Sequence, residues 1–423
     1  MAEGYTPQDS MHLWWLGNPA HPRSIGELRL VSAGRAVALQ YGQEWLQGGF
    51  PLSEDLPLTL DLFVPSQKDT AAGAVDDARP DRWGERVIRR FEKSPRLSLL
   101  EYLLFAGGDR YGALGVSLSA SAYVPWHSGP MPELASLQQM ADVIRQVLAN
   151  EPVTELQRRL IKPGASLGGA RPKSLLSIDG EPWLVKFSEG EEMDTQLVEH
   201  ATMTLAASCG IDVAPTRALA VAGGHAVGIR RFDRSGEARL HAVSAHVALR
   251  AVGEELSYPQ FSQLLRRLAP AAAIAAEQAQ LFRRMVFNIL MDNTDDHEKN
   301  HALLRQPTGA YLLAPAFDVV PSAQGLGYQA MLVGDTGAES SLSNALSQLR
   351  AFGLKPPAAR QLVQDIARRV SGWKEHFKET GVRDADVDTL AQYIDGDRLR
   401  SQRLEFASGT RVWPARGRRA PVP

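Results

Sequence analysis

A long apolar stripe that stops at a dense polar cluster is the strongest constraint in this chain. Ile274, Leu281, Phe282, Met285, Val286, Ile289 and Leu290 recur at helical spacing, so one face of a helix must be covered by other parts of the protein. The stripe runs up to Asn293–Asn300, which reads N-T-D-D-H-E-K-N. Apolar Ala302, Leu303 and Leu304, a turn at Pro307 to Gly309 and strand-like Tyr311 to Leu313 follow. This is a hairpin pattern, and it carries Asp318, behind Phe317, back towards Asp295. Two carboxylates, an amide and a lysine are thereby expected at one spot.

Such a set has a chemical use. Phosphoryl transfer needs a carboxylate to orient or deprotonate the attacking hydroxyl, and an oxygen-rich pair to hold Mg²⁺ against nucleotide phosphates. Asp295, Asn300 and Asp318 supply that inventory. Taken alone, an Asp-rich loop at a helix end is more often a cap and a solvated turn. The remainder of the chain decides between the two.

At 423 residues, 44% hydrophobic and 22% charged, the chain is long enough for two or three substructures with cores of their own. Its net charge of -2 provides no global field for nucleic acid or anionic membrane. Only the tail, with Arg411, Arg416, Arg418 and Arg419, is locally basic, and its Pro and Gly content suits a frayed, solvated end better than a nucleic-acid arm. The single cysteine, Cys209, excludes an intramolecular disulfide. With no leader-like start and no apolar run of membrane-spanning length, the expectation is a cytoplasmic protein without membrane contact.

Short strands are expected first, at His12 to Leu16, Gly26 to Val31, Val37 to Tyr41 and Leu58 to Val64, then helices at Arg82 to Phe91 and Leu97 to Phe105 and a strand at Ala113 to Leu118. A helix over Ser136 to Ala149 precedes the small, flexible stretch Ser166 to Lys173, where glycine leaves backbone N–H groups open to phosphate. Strand Ser174 to Ile178 turns at Asp179 and Gly180 into Trp183 to Ser188, which puts Lys186 on the face opposite Trp183, Val185 and Phe187. Lys186 either snorkels at a sheet edge or meets Glu199, which lies in the helix expected at Thr195 to Cys209. A strand lysine followed by a helix glutamate is how kinases hold a lysine on nucleotide phosphates. A further hairpin, Thr216 to Val221 and His225 to Ile229, closes at Arg230 to Asp233. Helices then dominate, at Tyr258 to Leu268, the apolar stripe, Ser341 to Phe352, Ala358 to Glu379 and Asp384 to about Glu405. The pattern predicts an α+β, bilobal, protein-kinase-like fold. Residues 1–125 form a β-rich N-terminal subdomain, 126–232 a nucleotide-binding core and 233–423 an all-α lobe with the catalytic and metal-binding loops.

With these elements in order, the chain resembles the HipA-type serine/threonine kinases, the toxin half of bacterial toxin–antitoxin pairs. The likeness rests on S-L-G-G-A-R-P-K from Ser166, R-F-D-R from Arg231, T-D-D-H-E-K-N from Thr294 with F-D at Phe317, and E-W-L, D-R-W-G and D-R-Y-G-A-L earlier in the chain. It implies Asp295 as catalytic base, Asn300 and Asp318 as Mg²⁺ ligands, and His297 and Lys299 as members of the catalytic loop. Lys186 would contact phosphate, Gly168, Gly169, Ala170, Arg171 and Lys173 would belong to the phosphate loop, and Arg230, Arg231 and Phe232 would form the hinge beside adenine. Ser166 would be the autophosphorylation site. ATP and Mg²⁺ are the implied cofactors. The implied partners are a small helix-turn-helix antitoxin, operator DNA only through that antitoxin, and a protein acceptor in the translation machinery, with glutamyl-tRNA synthetase foremost. The chain departs from the family pattern at Asp296, where glycine is usual, and at Arg230, where an acidic residue is usual. The first bears on loop flexibility and the second on nucleotide preference.

Three other readings compete. His297, Glu298 and His301 spell H-E-x-x-H, which on a helix would place two imidazoles on one face for zinc. A kinase-fold enzyme acting on a small molecule would use the same Asp, Asn and Asp set. An idle binding module of the same fold would have no need of the complete set of catalytic residue types.

Overall fold

The computed structural model describes residues 5–164 and 169–408. Ser166 and Gly168, and the basic tail, lie outside them. The first sheet contains β1 (Ser10–Trp15), β2 (Arg23–Val31), β3 (Ala36–Tyr41), β4 (Leu62–Phe63), β5 (Thr70–Ala71) and β6 (Leu114–Ser117) in the order β4-β3-β2-β1-β6, with β5 parallel on β3. Only two residues of the expected strand Leu58 to Val64 pair. Leu58 packs against the core, but Leu60 and Val64 are more than half exposed and lack apolar cover, and Pro57 and Pro65 bracket the segment. Between the strands lie α1 (Gln43–Gly48), α2 (Arg82–Phe91) and α3 (Leu99–Phe105). Asp81 caps α2 by accepting from the Gly84 N–H, and Ser98 with Glu101 closes a capping box on α3.

The second sheet is preceded by α4 (Leu137–Leu148) and α5 (Glu155–Arg158). It pairs β7 (Lys173–Ile178), β8 (Glu181–Lys186), β9 (Thr216–Val221) and β10 (Gly224–Arg230) in the order β7-β8-β10-β9, with α6 (Thr195–Ser208) between β8 and β9. Asp179 and Gly180 both take positive φ, 55° and 80°, as the two-residue hairpin requires. Trp183 and Val185 of β8 pack with Met140 and Ile144 of α4, and Trp83 and Val87 of α2 join the same core. The other large core runs from Tyr5 to Phe406, so the first sheet and the helical lobe share it. The N-terminal unit therefore packs on both halves of the molecule.

The helical lobe opens with β11 (Arg234–Ser235) and β12 (Ala238–Arg239), then β13 (Ala242–Ser244), α7 (Ala245–Ala251), α8 (Tyr258–Leu268) and α9 (Ile274–Leu290). The hairpin β14 (Ala302–Arg305) and β15 (Tyr311–Leu313) pairs onto β13, giving the lobe a three-stranded sheet of its own. In the α9 stripe Leu281, Phe282, Met285, Val286, Ile289 and Leu290 are fully buried, each contributing roughly 1.5–3 kcal/mol of transfer free energy. The three long helical stretches expected after residue 340 are each divided. Ser341 to Phe352 becomes α10 (Leu342–Ala345) and a 3₁₀ turn at Leu349–Phe352; the others become α11 (Pro356–Val370) with α12 (Trp373–Glu379), and α13 (Asp384–Ile394) with α14 (Asp397–Ala407). Their apolar period continues through Gly372 and Gly396, where the chain bends so that Val370 and Trp373, or Ile394 and Leu399, face the same core. No helix among the described residues is long and apolar enough to cross a membrane.

Candidate active site

β8 is flanked on both sides, by β7 and β10, so Lys186 does not lie at a sheet edge. The alternation that buries Trp183 and Val185 against α4 sends Lys186 to the opposite face, under α6 and the helical lobe. There it is 5% exposed and its ammonium lies 2.7 Å from Glu199 Oε1 while also pairing with Asp318. Three charges from β8, α6 and the segment after β15 thus meet where the second sheet faces the helical lobe. Burial by itself would raise the Asp318 carboxyl, but the Lys186 charge overrides it and holds the group at about 2. For Lys186, burial opposes the charge and the two carboxylates outweigh it, so its pKa rises. Glu199 is raised, because burial and the nearby Asp318 prevail over Lys186. Asp318 stands at φ 58°, a left-handed backbone that aspartate tolerates better than most residues.

In the loop after α9 one position stands exposed. Met291 to Thr294, Asp296 and Asn300 are buried, His297, Glu298 and Lys299 are half-buried, and Asp295 is exposed. The Asp295 carboxylate makes no hydrogen bond or ion pair with another described residue, while the N–H groups of Thr294 and Asp295 both donate to Ser322 Oγ, at 2.9 and 3.2 Å. Below it, Asp296 Oδ2 accepts from Tyr258 of α8, from Asn288 Nδ2 of α9 at 2.7 Å and from His301 Nε2 at 2.9 Å. Asp296, where the resemblance leads one to expect glycine, is therefore the anchor of the loop. Asn300 Nδ2 reaches the Asp295 carbonyl at 3.4 Å, and Asn300 and Phe317 line one small cavity beside Asp296. The hairpin has brought the F-D pair back beside the loop, as its sequence pattern implies.

The zinc geometry is not met. Glu298–Asn300 is a single 3₁₀ turn flanked by extended His297 and His301, so the imidazoles do not share a helical face. Glu298 instead pairs with His246 at 2.6 Å, and His301 is committed to Asp296.

The expected nucleotide-binding residues divide into two groups. Gly169, at φ 95°, and Ala170 are exposed, and Arg171 bonds Thr195 at 2.8 Å. Arg230 is exposed at the end of β10, and Phe232 packs against Phe317 with ring centroids 5.2 Å apart. Lys173 and Arg231, by contrast, are buried and engaged by carboxylates. Lys173 pairs with Asp81 at 2.6 Å, and Arg231 grips Asp233 through two nitrogens at 2.9 and 2.6 Å while donating to the Asp109 and Arg110 carbonyls. Arg231 therefore ties the segment after β10 to the N-terminal unit. Sequence reasoning missed Asp81, Tyr258, Asn288 and Ser322. Of these only Asp81 carried a visible signal, the helix cap in D-R-W-G.

Mg²⁺ would be held by the Asn300 carboxamide and the Asp318 carboxylate, hard oxygens whose small number suits an ion completed by phosphates and water. The donor set fits the ion.

Two family descriptions match the chain, HipA N-terminal domain over residues 20–117 and HipA-like C-terminal domain over residues 165–373. The chain belongs to the HipA family of kinase toxins. The serine/threonine-protein kinase toxin HipA of Shewanella oneidensis is 25% identical over 67% of this chain and 70% of its own. Y4mE, a kinase-family protein of Sinorhizobium fredii, is 26% identical over 92% of this chain and 94% of its own. Among solved structures, HipA in the Shewanella oneidensis complex of HipA, HipB and operator DNA shares the fold, with a TM-score of 0.64 over 94% of this chain and 97% of that one, at 21% identity.

Proposed function

We propose that this HipA-family chain is an ATP- and Mg²⁺-dependent serine/threonine protein kinase that inhibits growth, with residues 1–125, 126–232 and 233–423 as its working parts. The observation that carries the reading is the buried Lys186 between Glu199 and Asp318, close to a loop in which Asp295 is the one exposed residue. Asp295 takes the proton of the acceptor hydroxyl as that oxygen bonds to the γ-phosphorus of ATP and the bond to the bridging oxygen of ADP breaks. Lys186 is the cation for the nucleotide phosphates, and Glu199 keeps it in place. Asn300 and Asp318 are the ligands for Mg²⁺, which when bound neutralises phosphate charge. Gly169, Ala170 and Arg171 lie along the nucleotide's phosphates, and Arg230 and Phe232 beside its base.

The acceptor we propose is a serine or threonine of a translation protein, an aminoacyl-tRNA synthetase and first of all glutamyl-tRNA synthetase. A helix-turn-helix antitoxin is the proposed partner, in line with the HipB named in the structural relative's complex, and operator DNA is reached through it. Autophosphorylation of Ser166 is the proposed off-switch, since a phosphate of about -1.5 to -2 charge beside Gly168 and Gly169 competes with those of ATP. The test is incubation with labelled ATP, Mg²⁺ and a bacterial extract. The expected result is label on one main extract protein and on Ser166, both lost in Asp295→Asn. Label confined to small molecules would transfer the reading to a metabolite kinase, and label unchanged in Asp295→Asn would overturn the assignment of the base.

A further inference from the structure

A four-residue step in the N-terminal unit touches both halves of the proposed kinase. Asp77, 7% exposed, accepts from the Ser244 N–H at 2.6 Å and the Ser244 hydroxyl at 2.7 Å. Ser244 caps α7, and His246 of α7 holds Glu298 of the catalytic loop. At the other end of the step, Asp81 holds Lys173, and the Trp83 indole N–H donates to the Lys173 carbonyl at 2.8 Å. Lys173 is the residue directly opposite Lys186 in the β7–β8 register. The connecting segment is itself immobilised: the fully buried Arg110 donates to the Ala78 carbonyl, and a Cβ on Gly84 would lie 2.0 Å from the Pro163 carbonyl oxygen. Four residues span at most roughly 14 Å, so the two anchors cannot separate further than that without one letting go.

We infer that Asp77–Trp83 is an interlobe clasp that sets the separation between the phosphate-loop strand and the catalytic loop. The N-terminal unit is then a positioning part of the enzyme and not an appended module. The inference rests on the nucleotide reading of the cleft, and two readouts keep the two apart.

The variants are Asp77→Asn, Asp81→Asn, the double variant, and Trp83→Phe, which deletes one hydrogen bond and keeps the aromatic packing. Binding of Mg²⁺-ATP by calorimetry should weaken about 3- to 30-fold in each single variant. The double variant should be no worse than the poorer single, because a clasp open at one end no longer holds at the other. Amide hydrogen exchange in the absence of nucleotide is the second readout. Asp81→Asn and Trp83→Phe should speed exchange in residues 245–251 and 294–301, which they do not touch. A purely local packing role would confine the change to α2 and β7, and that result would overturn the clasp, as would ATP affinities equal to the parent's. If the parent chain bound no ATP, the nucleotide reading would fall, and the exchange pattern would still decide whether the clasp exists.

Discussion

Replacing Lys186 by methionine removes the one cation shared by Glu199 and Asp318 and leaves two neighbouring carboxylates, one fully buried, without it. The cheapest response is for one carboxyl to take up a proton. Its cost in the folded state is then bounded by the free energy of protonating an ordinary carboxyl, about 1.4 kcal/mol per pH unit above a pKa of about 4.3. That bound is about 3.7 kcal/mol at pH 7 and about 1 kcal/mol at pH 5. A carboxyl whose folded pKa is raised destabilises the fold above its unfolded pKa, so the penalty grows as pH rises. In the parent, Asp318 stays ionised throughout this window, because its carboxyl sits at about 2 and its stabilisation is lost only in acid. Glu199 is already raised beside Lys186, so the observed difference should fall below the bound. Urea unfolding of parent and Lys186→Met at pH 5, 6 and 7 should give a stability gap that widens by about 1–2.5 kcal/mol across the range. A gap independent of pH, or larger at pH 5, would show that the three groups are not coupled as described. ATP binding by the variant at pH 6 should be lost or unproductive in the same preparation.

Asp318→Asn should raise the Mg²⁺ concentration needed for half-maximal transfer as well as slowing turnover, and an unchanged Mg²⁺ titration would place the ion elsewhere. Asp296→Ala strips the acceptor from three buried donors and should cost about 3–5 kcal/mol in urea unfolding, whereas a loss under about 1 kcal/mol would remove Asp296 as the loop's anchor. Glu298→Ala should leave phosphoryl transfer within about tenfold of the parent, since it loosens one link between α7 and the loop but removes no group assigned to the nucleotide, the ion or the acceptor. Its stability cost should be present at pH 6 and shrink as pH falls from about 4.3 towards 2, because the Glu298 carboxyl, raised by burial, is brought down to about 2 by the His246 hydrogen bond. A cost that grew in acid would contradict that pairing.

What the sequence determined by itself is the set of features that repeat locally. The stripe of α9, the alternation of β8 and the Asp179-Gly180 turn each express a period of 3.6 or 2, or a backbone preference, within a few residues. The order of motifs was likewise sufficient to bring Lys186, Glu199 and Asp318 to one reading of the cleft. Other features belong to tertiary structure. The bends at Gly372 and Gly396 interrupt no apolar period, so a window along the chain runs through them, and only the position of the shared core requires each half to turn. Asp296 looks in sequence like one more carboxylate in a polar loop. Its role comes from Tyr258 and Asn288, 38 and 8 residues away, which α8 and α9 deliver beneath it. Lys173 reads as a free cation of a phosphate loop until Asp81, 92 residues earlier, is folded against it. A buried charge must find its counter-charge wherever the packing places one, and that choice is made by the assembled core.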